Sequence, residues 1–233
     1  MIAIGTELDP LHNWLWATIN SRLSPWWPRL FGYHLVAIGE QALQLDLSAS
    51  PIRHQCLIAA AGQINARPDA LPLPENSVDV VVLPFTLHHA DDPHQVMREA
   101  YRVLIAGGHL VIIQPNPLSP AALGGRLGSR RRDPLWQGQW LSSWRWRDWL
   151  SLLACDVRHR DHLCFGTLFG SQPPPLRWEE FAGRHLPWLG GVELVIACKT
   201  EIPLTLVRQP ARRKVAAPRP ALAPQVRMPT PRS

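Results

Sequence analysis

The sequence predicts an α/β fold: a mostly parallel sheet with helices on both faces. Two observations carry that expectation. "VDVVVLPFTL" (78–87) is nearly continuous in valine and leucine, the pattern of a parallel strand buried on both sides. "DPHQVMREAYRVLI" follows, with Val96, Ala100, Val103 and Leu104 on one helical stripe, and then Gly107-Gly108 and a second buried run, "HLVIIQP". Strand, helix, glycine turn and strand make a βαβ unit, and right-handed crossovers then place helices over both faces. An apolar content of 46% supplies a core, and 233 residues fit one substantial domain with an appendage.

Taken in order, residues 10 to 31 read as an amphipathic helix with Leu11, Trp14, Leu15, Thr18, Ile19 and Leu23 on one stripe. Pro25 and Pro28 close it around Trp26 and Trp27. This segment lacks the basic polar face of a membrane-surface helix, so packing over the core is its expected role. "YHLVAIG" is a strand candidate ending at Gly39, and "QCLIAAA" (55–61) is a second. Between them, "EQALQLDLSASPIRH" starts like a helix and then alternates like a strand at Leu43, Leu45 and Leu47, which leaves both readings open. Beyond the βαβ unit, "LGGRLGSRRRDP" (123–134) is a loop. "SSWRWRDWLSLLACD" is a helix with Ser143 as N-cap and Trp146, Trp149, Leu150 and Leu153 inward. "VRHRDHLCFG" (157–166) alternates like a strand, a short helix covers Glu179 to His185, and "GVELVIACK" is the last strand.

The formal charge of +6 is unevenly placed. Residues 208–233 hold seven basic residues, no acid and six prolines, so residues 1–207 carry a net −1. Such a tail cannot bury enough apolar surface to fold. It has the composition to meet nucleic acid or anionic lipid through phosphates, and a solvated extension without a specific partner is the favoured reading. There is no run of about 18 apolar residues for a membrane span and no basic-then-apolar leader pattern. The four cysteines, Cys56, Cys155, Cys164 and Cys198, lack C-x-x-C spacing and suit a reduced cytoplasm better than a metal or disulfide framework. No metal site is expected: Asp91, Asp92 and His94 precede a helix, where loop acids act as caps.

Residues 69–119, "DALPLPENSVDVVVLPFTLHHADDPHQVMREAYRVLIAGGHLVIIQPNPLS", carry a connected series. An Asp-Ala stands before Leu-Pro, Ser-Val-Asp-Val opens a strand, Leu-His-His follows it, and Arg-Val-Leu precedes Gly-Gly. This series resembles class I S-adenosylmethionine-dependent methyltransferases of the type 11 group. With the early tryptophan cluster and "EIPLTL" near the end, the chain resembles an uncharacterised bacterial YafS-like branch. The clear likeness spans about residues 66–120, and a looser one about 30–200.

The resemblance implies a Rossmann-like three-layer sandwich with a seven-stranded, mostly parallel sheet and a reversed last strand at or near one edge. It divides the chain into an N-terminal helical cap (1–32), a methyltransferase-like domain (33–207) and the basic tail (208–233). The implied cofactor is S-adenosylmethionine, lying across the carboxyl ends of the first strands. Gly39, Glu40, Asp69, Ala70 and Phe85 are the implied cofactor residues, with the Asp69 carboxylate accepting from the adenine amine and Pro68 and Pro72 holding its loop. Two departures bear on this site. Ala37 stands where the family usually has an acid, and Glu40, Gln41 and Ala42 follow Gly39 in place of further glycines. Ala59, Ala60, Ala61 and Gly62 stand where a carboxylate for the ribose hydroxyls is usual.

His88 and His89 follow the strand on the reacting side of the sheet. They suit a general base for an oxygen or nitrogen acceptor, or packing and capping. "QPNPLS" follows the next strand as a turn and differs from the Asn-Pro-Pro-aromatic motif of amino-methylating enzymes. The arginines at 126, 130, 131 and 132, with Trp136 and Trp140, form a basic and aromatic loop. Arg130, Arg131 and Trp136 are its candidate substrate contacts, for a phosphate or anionic group; a solvated lid is the other reading. The expected function is methyl transfer to a small or lipid-like acceptor. The alternative is a catalytically inactive methyltransferase-like binding or scaffold protein using its basic tail.

Overall fold

The computed structural model describes residues 10–120, 122, 137–165 and 176–200. These lie within the unit Met1–Ile202, while Pro203–Ser233 forms a second unit outside the described residues. The basic tail therefore lies outside them, as do Arg126, Arg130, Arg131, Arg132 and Trp136.

Six strands form one sheet: β1 (His34–Ile38), β2 (His54–Ile58), β3 (Val78–Pro84), β4 (Leu104–Pro115), β5 (Cys155–Leu163) and β6 (Val192–Lys199), in the order β2-β1-β3-β4-β6-β5. β1 pairs parallel with β2 and β3, and β3 with β4; β6 runs antiparallel to both β4 and β5. The mixed α/β, mostly parallel class is as expected, with six strands in place of seven. The missing one survives as a single parallel bridge between Ile58 and Ile64. Only five residues separate the two, too few for the crossover helix that two full parallel strands require. The reversed strand β6 lies one place in from the edge, which β5 occupies.

The sheet's two faces build separate cores. Leu35 and Ala37 of β1, Val80 and Val82 of β3 and Val111 and Ile113 of β4 meet the helix α1 (Pro10–Leu23) and Trp27. The alternate residues Val36, Ile38, Val81, Leu83, Leu110 and Ile112 meet the helices α3 (Pro93–Val103) and α4 (Ser143–Leu152). A period of two along each strand divides the residues this way, so α1 and α3 are forced to opposite sides. The buried stripe of α1 holds Trp16, with Trp14 only half-buried. Trp16 packs edge-on against Phe85, ring centroids 5.6 Å apart, a cross-sheet partner that periodicity along one helix cannot reveal.

Several local details differ from the reading above. The segment after Gly39 is a 3₁₀ helix, Glu40–Gln44, without a following strand before β2. Ser142, not Ser143, holds the N-cap position of α4, and its side chain makes no cap hydrogen bond. β4 begins directly where α3 ends, and its ladder shifts register between Val78 and Val80 of β3, opposite Gly107 and Gly108. Asp92 caps α3 by accepting from Gln95 N at 3.0 Å, as a loop acid before a helix should. All four cysteines are free. Among the described residues no helix is long and apolar enough to cross a membrane.

Candidate functional site

The chain leaves β1 toward β2 on one side and reaches β3 on the other, so the sheet has a switch point between β1 and β3. In open α/β sheets a crevice opens at the carboxyl ends of the strands there. A cavity of about 770 Å³ lies at that place. Gly39 lines it from the end of β1, Ile58 to Ala60 from the end of β2, and Pro84 and Thr86 from the end of β3. Its outer wall includes Arg67, Asp69, His89 and Gln137.

Gly39 has φ 100° and ψ 161°, a backbone region essentially closed to residues with a Cβ. A Cβ there would lie 3.0 Å from the Thr86 hydroxyl. That hydroxyl donates to the carbonyl of Ile38 at 2.5 Å, tying the end of β3 to the end of β1 and flooring the crevice. The next residue, Glu40, starts the 3₁₀ turn and reaches across to β2, where its Oε1 accepts from Ala60 N at 2.6 Å. A carboxylate from the β1 loop therefore sits at the end of β2, where Ala59 to Gly62 offer none.

Asp69 stands on the loop after the Ile64 bridge. Arg67 donates to it twice, from Nε at 2.9 Å and from Nη2 at 2.5 Å. Those hydrogen bonds hold the Asp69 carboxyl below its ordinary range. The helix α3 holds the loop. Glu99 accepts from Leu71 N at 3.0 Å, and Arg102 donates to the carbonyls of Leu71 and Leu73 while pairing with Glu99. Their i, i+3 spacing on a helix was visible in the sequence; that they clamp this loop was not.

The turn after β3 sorts its residues by direction. Phe85 has a left-handed backbone, φ 55° and ψ 10°, uncommon for an aromatic residue and a mark of local constraint. Its ring goes to the Trp16 side, fully buried. The short helix α2 (Thr86–His89) then returns to the crevice. His88 is fully buried, with Nδ1 2.9 Å from the carbonyl of Gln139 and its ring 5.1 Å from that of Trp140. His89 lines the cavity while staying solvent-exposed; partial desolvation lowers its imidazole from the ordinary value of 6.5, and a backbone contact with Gln137 works the other way. At neutral pH its ring is neutral and can accept a proton. Of the five cofactor candidates, Gly39, Glu40 and Asp69 line the cavity; Ala70 is exposed and Phe85 buried, and neither lines it. Thr86 and Gln137 line it without having been singled out in the sequence.

Residues 30–112 match the family described as a methyltransferase domain. The chain is 35% identical over 195 residues to the uncharacterized protein YafS of Escherichia coli strain K12, covering 81% of this chain and 77% of that protein. The chain belongs to this methyltransferase family. The ubiquinone/menaquinone biosynthesis C-methyltransferase UbiE of Hahella chejuensis is 34% identical over 94 residues, spanning 37% of this chain and 38% of that protein. In fold, the methyltransferase is similar to an S-adenosylmethionine-dependent methyltransferase from Archaeoglobus fulgidus, with a TM-score of 0.55 at 16% identity over 78% of this chain and 93% of that one.

The family's cofactor is S-adenosylmethionine, and the crevice of this methyltransferase fits it in three respects. Its volume is within the usual range for ligands of that size. Its floor at Gly39 is bare backbone, and two carboxylates, Glu40 and Asp69, line it as acceptors for hydroxyl and amine groups.

The histidines of the methyltransferase also predict its response to acid. Partial burial lowers His109 and His162 below 6.5. Below that value the unfolded chain binds protons that the folded chain resists, so stability is fully present above it and falls as pH drops through it. Urea midpoints should hold level from roughly pH 7.5 to 6.5 and decline as pH falls further toward 5.5. The double variant His109→Gln, His162→Gln should flatten the decline.

Proposed function

We propose that this methyltransferase moves a methyl group from S-adenosylmethionine to a small or lipid-like acceptor, with His89 taking the acceptor's proton. The observation that carries this reading is a neutral imidazole lining the same cavity as Gly39, Glu40 and Asp69. The cofactor supplies an electrophilic methyl on a sulfonium centre. The chain's own contribution is to bind, orient and remove a proton. Gly39 lets backbone approach the ligand, Glu40 accepts from ribose hydroxyls in place of the acid absent at Ala59 to Gly62, and Asp69 accepts from the adenine amine while Arg67 keeps it ionised. His89 then accepts the proton from an oxygen or nitrogen nucleophile as methyl transfer proceeds, alignment supplying much of the rate. The similarity to UbiE, a methyltransferase of quinone biosynthesis, supports a lipid-like acceptor.

Isothermal titration with S-adenosylmethionine and S-adenosylhomocysteine tests the reading. Both should bind, and Glu40→Gln should weaken each by about tenfold or more, the size of one hydrogen bond to a charged group. Absence of binding up to millimolar ligand would leave a binding or scaffold protein on a methyltransferase fold. Wild-type affinity in Glu40→Gln would remove Glu40 from the ribose site.

A further inference from the structure

The helix α5 (Leu176–His185) and the 3₁₀ turn Pro187–Leu189 after it present large aromatic side chains to solvent. Trp178 is 47% exposed, Phe181 52% and Trp188 61%; Leu118, on the turn after β4, is 78% exposed. Trp178, Phe181 and His185 stand at i, i+3 and i+7, one stripe of a helix, and their rings follow one another at 6.1 Å and 4.6 Å. Asn116 joins the two parts of this surface: its side-chain amide donates to the carbonyls of Trp188 and Gly190, each at 2.9 Å. The surface therefore lies at the carboxyl end of β4, the end of the sheet at which the cavity opens.

Its charges are arranged as well. Arg177 and Arg184 are exposed one heptad apart beside the aromatic stripe, and His185 ends it. Of the helix's acids, Glu179 is half-buried, and the exposed Glu180 stands between the two arginines, at i+3 from Arg177 and four residues before Arg184, on the side away from the rings. Tryptophan and phenylalanine rimmed by arginine suit the boundary between headgroups and acyl chains. There the rings leave water, and the guanidinium groups meet phosphate.

We propose that this surface docks on an anionic lipid bilayer, so that a lipid-like acceptor reaches the cavity from the membrane. The proposal rests on the reading of the acceptor given above. Docking itself needs neither cofactor nor methyl transfer, so either can fail without the other.

The test is co-sedimentation of the full chain with phosphatidylcholine vesicles, with and without phosphatidylglycerol. Binding should require the anionic lipid, and Trp178→Ser/Phe181→Ser/Trp188→Ser should lower the bound fraction about tenfold with an unchanged thermal melt. Trp144→Ser/Leu152→Ser, which removes exposed apolar groups from α4, should bind as the wild type does. If the triple variant does not fold, the single variants Phe181→Ser and Trp188→Ser should each lose about threefold. Three results would overturn the proposal. One is no binding by the wild type. Another is full binding by the folded triple variant or by both single variants, which would assign the attraction to basic residues elsewhere in the chain. The third is loss of self-association in the variants without any change in vesicle binding, which would make the surface a protein contact.

Discussion

Gly39→Val is expected to lower affinity for S-adenosylhomocysteine about 100-fold, near 3 kcal/mol, the largest effect of any single change on binding. Two causes add. The backbone at φ 100° and ψ 161° excludes a β-branched residue at a cost of about 1–3 kcal/mol. The new side chain also meets Thr86, whose hydroxyl is 3.0 Å from the Cβ position and is already committed to Ile38. The methyl groups must then displace Thr86 or enter the crevice, and either outcome spoils the floor on which the ligand lies. Gly39→Ala adds the same Cβ without the branches, so its loss should be clearly smaller. Calorimetric titration of both variants, with thermal melts alongside, separates lost binding from lost fold. Equal affinity in wild type and Gly39→Val would mean the ligand does not lie against this turn.

The same geometry explains why a single glycine is enough in a loop where several are usual. Only Gly39 has the backbone that demands one; Glu40, Gln41 and Ala42 lie in a right-handed 3₁₀ turn that accepts side chains. The strand identities and the two-faced core were legible because they depend on local periodicity. Asp92 as a cap and Gly39 as the end of the first strand were legible for the same reason. What pairs distant residues was not. Glu40 bonding Ala60, Phe85 meeting Trp16, and Glu99 with Arg102 clamping the loop near Asp69 all depend on the folded sheet. The bridge at Ile64 in place of a strand belongs with them. The short spacing after β2 was in the sequence, but the expectation of a seventh strand came from family likeness. His88 and His89 show the limit most sharply. Adjacent in sequence, they part at the short helix α2, one into the core against Trp140 and one to the crevice.

Lys199→Met is expected to destabilise the fold by about 3–5 kcal/mol without altering the crevice, which for a domain of this size lowers Tm by roughly 10 °C. Lys199 ends β6 and is only 3% exposed. Its ammonium donates to Leu104 O at 2.8 Å, Tyr101 O at 3.1 Å and Asn76 Oδ1 at 3.0 Å, and lies 4.2 Å from the centre of the Tyr101 ring. Two of those acceptors are carbonyls at the carboxyl end of α3, where a positive charge complements the helix dipole. One side chain thus joins the last strand, the central helix and the loop before β3. Methionine keeps the length and apolar stem but leaves the buried carbonyls without that donor, and a lost charged donor costs more than a lost neutral one. Lys199→Arg retains the charge but cannot place a planar fork where a compact ammonium reaches three directions, so it should restore only part of the loss. Guanidinium midpoints for the three proteins, compared with their S-adenosylhomocysteine affinities, give the decisive pairing. A stability loss with unchanged affinity fits the clamp; an unchanged midpoint in Lys199→Met would show that these contacts contribute nothing net to folding.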